Sequence, residues 1–343
     1  MKEKWNISVI GAGTWGMALV RMLANDGHTV KVWSALPEEI EQLKKTRRQR
    51  NLPDMEIPDE IEFSSDLNEV CRDAGMFLLA VPSVFVRSTA KRLSPYVTPG
   101  QIIVDVAKGI EAETLLTMSE VIRSEIPQAW IVALSGPTHA EEVAADLPTT
   151  IVSACEDMET AKTVQTVFSN EVMRVYTNSD VKGVELCGAL KNIIALASGI
   201  SSGLGYGDNT RAAIITRGLS EIARLGITMG CLPDTFSGLA GMGDLIVTAT
   251  SVHSRNNRCG KLIGQGMPAE EAVKAVGMVV EGINALPAAM KLSEKYGVEL
   301  PITAGVNEVI HHGKKPSDAV HELMNREMKT ELPQSIFPLR PKE

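Results

Sequence analysis

The sequence predicts an α/β fold: an N-terminal, doubly wound parallel sheet followed by a mostly α-helical C-terminal domain. Three observations predict it. A glycine-rich turn, Gly11-Ala12-Gly13-Thr14-Trp15-Gly16, stands between an apolar run and a helical pattern. Short apolar runs then alternate with helical stretches through the first half of the chain. From about Val184 long Ala-, Leu- and Ile-rich segments replace that alternation. Near-continuous apolar strands alternating with helices read as a parallel sheet covered on both faces.

The elements follow in order. Ile7-Ser8-Val9-Ile10 reads as the first strand and Met17–Ala24 as the helix after the glycine turn. Thr29–Trp33, Phe77–Val81, Ile102–Val106 and Ile131–Leu134 read as further strands, the second of these stopped by Pro82. Ser83–Leu93 and Thr114–Ile126 read as helices between them, and Thr149–Ala154 and Val172–Tyr176 as late strands extending the sheet. Val184–Gly199, Asn209–Arg224, Ala269–Val276 and Leu286–Tyr296 carry the helical half. The expected division is residues 1–180 for a dinucleotide-binding domain and 181–331 for a helical substrate and catalytic domain, with 332–343 as a loose, proline-containing tail.

The glycine turn is the most specific signal. In GxGxxG between a strand and a helix, the first glycine (Gly11) permits a tight turn. The second (Gly13) lets the backbone approach a pyrophosphate, and the third (Gly16) lets helix pack close to strand. The helix then aims its free N–H groups and positive end at the phosphates. This marks the first domain as Rossmann-type, with NAD or NADP as its ligand.

Composition narrows the partners. Acidic residues (42) outnumber Lys plus Arg (34), for a net charge of −8, which argues against nucleic acid or an anionic membrane surface. A small anionic substrate must then be met by a local group of cations. Cys71, Cys155, Cys187, Cys231 and Cys259 are scattered without a CxxC pair, as expected of thiols in a reducing compartment and not of a disulfide frame or a metal site. No signal peptide fits the first residues and no apolar run reads as long enough to span a membrane, so a cytoplasmic protein is expected.

Several polar residues stand where chemistry is expected. Lys108 follows a strand by two residues, so it is either a solvated lysine or a group at the ligand-binding edge of the sheet. Ser135-Gly136-Pro137-Thr138-His139-Ala140-Glu141 follows another strand; Thr138 and Glu141 have capping-box spacing, so a helix is expected to start there. Lys191 is the one lysine in an otherwise apolar helix. It either snorkels to solvent or sits in a cleft, where desolvation lowers its pKa toward the range of acid–base work. The glycines of Gly238–Gly243 are simple turns, or they bring Asp244 close to a ligand. Ser254-Arg255-Asn256 is a compact phosphate clamp or a solvated polar loop, with Arg255 able to supply bidentate donors.

Together these segments resemble the bacterial NAD(P)-dependent sn-glycerol-3-phosphate dehydrogenases. The matching motifs are GAGTWG, VAKGIE, SGPTHAEEV, ELCGALKNIIALASGI, GDNTRAAIITRG, GLAGMGDLIVTATS, HSRNNR and VVEG, spread from residue 11 to about residue 282. The resemblance implies a substrate cleft between the two domains and a homodimer. It also implies hydride transfer between glycerol 3-phosphate and NAD or NADP, supplying glycerol 3-phosphate for phospholipid synthesis. Carried over by motif, Lys191 is the proton acceptor. Lys108 and Asp244 orient substrate beside Gly136 and Thr138, and Ser254, Arg255 and Asn256 hold the phosphate. Thr14, Trp15, Lys108, Ala140, Arg255, Val279 and Glu281 meet the cofactor. The rivals are another two-domain dehydrogenase, for a hydroxy acid or ketopantoate, and a non-catalytic dinucleotide sensor. The chain departs from the family after its second strand. Trp33-Ser34-Ala35-Leu36 offers neither an acid for the ribose 2′-hydroxyl nor an adjacent base for a 2′-phosphate. Use of both cofactors is expected, with a preference under about a hundredfold, tilted to NADPH if Arg47, Arg48 or Arg50 engages.

Overall fold

The computed structural model describes residues 3–328, 330 and 331; the expected loose tail at 332–343 lies outside the described residues. The first half begins β1 (Asn6–Ile10), α1 (Thr14–Asn25), β2 (Thr29–Trp33), α2 (Pro37–Thr46), β3 (Glu62–Ser64), α3 (Leu67–Cys71) and β4 (Met76–Leu79). It continues α4 (Val86–Leu93), β5 (Ile102–Asp105), α5 (Met118–Glu125), β6 (Trp130–Ser135), α6 (Ala140–Ala144), β7 (Thr149–Ala154), α7 (Met158–Phe168) and β8 (Met173–Asn178). The strands form one sheet in the order β3-β2-β1-β4-β5-β6-β7-β8. The order reverses direction between β1 and β4, the switch point beyond which such sheets take their ligands.

Alternate residues of a strand face opposite layers, and the cores obey that rule. Val32 packs with Ile7, Val9 and α1, whereas Trp33 packs with Ile10, Phe77 and α4 on the other face. The parallel reading needs one correction: β6 and β7 are antiparallel (Ala133↔Ala154, Ser135↔Val152). Their apolar residues serve either direction equally well, so local pattern carries no information on polarity. Two boundaries also differ from expectation. The strand at Phe77 ends at Leu79, and the helix expected from Thr114 opens only at Met118, where Thr117 and Glu120 form a reciprocal capping box. The strand Glu62–Ser64 is too short to show a period in the sequence.

The second half runs α8 (Val181–Gly203), α9 (Asp208–Thr228), α10 (Pro233–Ser237), α11 (Asp244–Thr250), α12 (Arg255–Gly264) and α13 (Ala269–Val276). It closes with α14 (Glu281–Tyr296), α15 (Pro301–His311) and α16 (Pro316–Met324). Helix α8 is the axis against which α9, α10, α11, α12, α14 and α15 pack. Its length and mean hydropathy of 1.3 would let it cross a membrane, which corrects the expectation that no run is long enough; its most apolar window is 100% buried within the fold. Asp180 caps its start by accepting from Gly183 N, and also holds Leu232 N and Thr235 Oγ1. Helix α12 lies against α8 so closely that a Cβ at Gly199, Gly260 or Gly264 would collide with the facing backbone. That contact fixes the N-terminus of α12, and hence Ser254 and Arg255, relative to Lys191.

Candidate active site

The glycine turn has the three features that its spacing predicts. Gly11 has φ +120°, and a Cβ there would stand 2.5 Å from the Ala80 carbonyl oxygen. A Cβ at Gly16 would stand 2.8 Å from the Gly11 carbonyl oxygen. At Gly13 a Cβ would meet nothing within 4 Å, so this glycine borders open space. Helix α1 opens directly after it with no side-chain cap. An uncapped helix start behind an open, side-chain-free turn fits a dinucleotide pyrophosphate, with the α1 N–H groups as its donors. Asn51 Nδ2 donates to Thr14 Oγ1 at 2.9 Å, bringing the segment after α2 over this turn. Trp15 is half-buried and Ala140 is buried in the α1 layer.

On the other side of the switch point, Lys108, Gly136, Thr138, Lys191 and Asp244 come together. Asp244 is fully buried. Its Oδ1 accepts from Lys191 Nζ at 2.5 Å and its Oδ2 from Lys108 Nζ at 2.6 Å. Lys108 Nζ also donates to the Gly136 carbonyl oxygen at 3.0 Å, which accepts from Thr138 Oγ1 as well. Lys191 donates to Thr248 Oγ1, whose hydroxyl in turn donates to the Asp244 carbonyl one helical turn back. Lys191 is therefore not snorkelling; it is 5% exposed, inside the fold. Burial is the main force on its pKa, opposed by the Asp244 charge and reinforced by Lys108, and it brings the ammonium down to about 7. A lysine so poised exchanges a proton readily near neutral pH.

The glycine run before Asp244 is neither a simple loop nor an ordinary helix. Leu239–Gly243 makes a π-helical turn that leads directly into α11. A Cβ at Gly241 would collide with the Phe236 carbonyl, so that run brings backbone against backbone and carries Asp244 inward. The aliphatic part of Lys108 lies against α8 at Gly188, one turn before Lys191, where a Cβ would stand 3.4 Å from Lys108 Cγ, an ordinary contact.

The capping box expected at Thr138 and Glu141 does not form. His139, one residue later than the spacing suggests, is the N-cap of α6 and makes no side-chain cap bond, so Thr138 lies outside the cap and Glu141 is not three residues from it; the Thr138 hydroxyl donates to the Gly136 carbonyl. Ser254 is the N-cap of α12, accepting from Asn257 N at 3.2 Å. Arg255 is exposed, and its side chain makes no hydrogen bond or ion pair among the described residues. Asn256 is buried: its Nδ2 donates to Asn192 Oδ1 at 2.9 Å and its Oδ1 accepts from Gly282 N. That amide fastens α12 and α14 to α8, one residue from Lys191. Val279 is half-buried, two residues before Glu281. Glu281 accepts from Ser83 Oγ at 2.6 Å and from Ser83 N at 3.2 Å, joining the helical half to the loop after β4.

Sequence reasoning missed Thr248, Asn192 and Ser83. Thr248 carried one usable signal, its position four residues after Asp244 on the same helix face. It also missed an acid at the end of β2. Ser34 Oγ donates to Glu39 Oε2 at 2.6 Å. Two of the three arginines expected to reach the adenosine end are engaged elsewhere, and Arg50 is exposed. Arg47 donates to the Ile61 and Asp59 carbonyls and lies over Phe63. Arg48 donates to the Pro53 carbonyl and Glu56.

An open glycine turn on one side of the switch point, and a buried lysine–aspartate pair contributed by a helical domain on the other, define a two-domain nicotinamide-dependent dehydrogenase. Residues 6–161 match the family model for the NAD-dependent glycerol-3-phosphate dehydrogenase N-terminus, and residues 180–321 match that for its C-terminus. The chain belongs to the NAD-dependent glycerol-3-phosphate dehydrogenase family. A relative from Lactobacillus delbrueckii subsp. bulgaricus named glycerol-3-phosphate dehydrogenase [NAD(P)+] 2 is 64% identical, covering 95% of this chain and 98% of its own. One from Agathobacter rectalis, named glycerol-3-phosphate dehydrogenase [NAD(P)+], is 53% identical over 95% of this chain and 97% of its own. The crystal structure of glycerol-3-phosphate dehydrogenase from Coxiella burnetii superposes with a TM-score of 0.91 at 36% identity, covering 94% of this chain and 99% of that one. A ketopantoate reductase from Ralstonia eutropha shares the fold alone, at 17% identity and a TM-score of 0.61.

Proposed function

We propose that the chain interconverts sn-glycerol 3-phosphate and dihydroxyacetone phosphate, with Lys191 as the group that exchanges the proton. The observation that carries this reading is the buried contact of Lys191 with Asp244, at the edge where the family's two domains meet. When bound, NAD or NADP accepts the hydride from C2 or returns it. Lys191 as the neutral amine takes the C2 hydroxyl proton during oxidation. In reduction its ammonium gives that proton to the oxygen that becomes the hydroxyl. Asp244 holds Lys191 and Lys108 in register through its two oxygens. Lys108 has one further donor with which to orient a substrate oxygen. Arg255 at the start of α12 is free to pair with the phosphate, and Ser254 beside it shares the positive end of that helix. Asn256 acts on this picture as a fastener of the phosphate-binding helix.

The domain roles follow: residues 1–180 take the dinucleotide and 181–331 supply the proton-exchanging and phosphate-binding groups. The family resemblance adds a cytoplasmic homodimer that supplies glycerol 3-phosphate for phospholipid synthesis. The test is a steady-state assay of dihydroxyacetone phosphate reduction by the wild type and Lys191→Ala. The variant is expected to lose about 10²–10⁴-fold in turnover while still binding NADH, because general acid–base groups contribute that much. Near-normal turnover in the variant rules out Lys191 as the proton-exchanging group.

A further inference from the structure

We propose that Glu39, brought to the end of β2 by Ser34, is the residue that selects NAD over NADP at the adenosine end of the coenzyme. The inference rests on the assignment of the glycine turn to a dinucleotide. Position comes first. Gly11 N donates to the Trp33 carbonyl at 2.8 Å, so Ser34 follows a residue bonded directly to the glycine turn. The ribose of the adenosine half lies beside that strand end in folds of this order, and an acid there receives its hydroxyls. The residue in that place is a serine, which alone cannot discriminate. Yet Ser34 is 5% exposed, and its Oγ both accepts from Leu36 N at 3.2 Å and donates to Glu39 Oε2 at 2.6 Å. This turn folds the first residues of α2 back onto the strand. A carboxylate from five residues further on thus reaches the place where a side chain of the strand end would put one.

Charge balance at this corner favours the same conclusion. Glu38 and Glu39 are the acids in the first turn of α2, and they already complement the positive helix end that would attract a 2′-phosphate. The nearby cations are turned to other partners. Arg47 is held by the carbonyls of Pro58, Asp59 and Ile61, and Arg48 by Pro53 and Glu56. Arg92 lies 4.7 Å over the Trp33 ring, and that ring packs on the sheet face opposite the one covered by α2. Lys45 and Arg50 are exposed and are the cations nearby in the chain left to compete with Glu39. A ribose diol finds a carboxylate acceptor here, whereas a 2′-phosphate finds a like charge.

The experiment is direct titration of the full chain with NADH and with NADPH, followed by nicotinamide fluorescence without substrate. The wild type is expected to bind NADH about tenfold tighter than NADPH or better, and the gap should narrow as salt is raised. Glu39→Gln should shrink the gap about fivefold, chiefly by tightening NADPH. Ser34→Ala, which frees Glu39 from the strand end and leaves α2 intact, should shrink it in the same direction. Equal or tighter binding of NADPH by the wild type overturns the proposal, as does an unchanged ratio in a folded Glu39→Gln or Ser34→Ala chain. Failure of the wild type to bind either coenzyme would instead overturn the dinucleotide assignment, and this proposal with it.

Discussion

The glycine turn and the lysine–aspartate cluster are built in opposite ways. The turn occupies six consecutive residues and works by lacking side chains: Gly13 leaves open space, and Gly11 and Gly16 allow contacts that a Cβ would forbid. The cluster works by side-chain charge in a dry place. Its members are far apart in the chain, Lys191 and Asp244 by 53 positions and Lys108 and Asp244 by 136. The difference teaches what each half can tolerate. A steric site fails when atoms are added. An electrostatic site fails when one charge is removed, because those left behind are buried without a partner.

Asp244→Ala should therefore be the most damaging single change. It leaves Lys191 and Lys108 facing each other without their shared carboxylate. Turnover should fall at least as far as for Lys191→Ala, and stability by about 3–5 kcal/mol, the cost of breaking a buried pair. Parallel urea unfolding and steady-state rates read both, and a folded, active Asp244→Ala would erase the distinction between the two regions. Arg255→Ala comes next. It removes an exposed, unpaired guanidinium, so stability should hardly change. The kcat/KM for dihydroxyacetone phosphate should fall about 10–100-fold, while that for unphosphorylated dihydroxyacetone barely moves. Equal losses for both substrates would remove Arg255 from phosphate recognition.

The smallest expected effects divide the glycine turn itself. Gly13→Ala points its methyl into the open coenzyme side, so the chain should fold normally and bind NADH more weakly. Gly11→Ala meets the Ala80 carbonyl at a positive φ, so it should lower stability by about 1–3 kcal/mol. Thermal unfolding with and without NADH separates the two, and a destabilised Gly13→Ala would mean that the space beside it is structural.

Legibility in the sequence followed the same divide. The turn, its strand and its helix could be read because every determinant is local. Long helices in the second half were equally plain, since α8 is apolar on all sides. Lys191 stayed open between surface and cleft, because burial depends on α11 and on Asp244, which the chain brings in from elsewhere. The antiparallel β7 was illegible, as apolar strands carry no sign of direction. The capping box at Thr138 misled for a related reason: spacing showed a possible bond, and the helix starts one residue later, with His139 at its N-cap. Glu39 was passed over because the acid was sought on the strand, and the turn at Ser34 that delivers it is set by three residues acting together.

The pH dependence of kcat/KM in both directions tests most directly whether a buried, proton-poised Lys191 carries the chemistry. Burial lowers its pKa to about 7 from the ordinary lysine value of 10.5, so the neutral amine becomes the major form above that pH. Oxidation of glycerol 3-phosphate needs that neutral amine and should rise with pH through about 7. Reduction of dihydroxyacetone phosphate needs the ammonium and should fall across the same interval. Rates that stay flat in both directions from about pH 5.5 to 9, or that rise together, would place the proton step on a group other than Lys191.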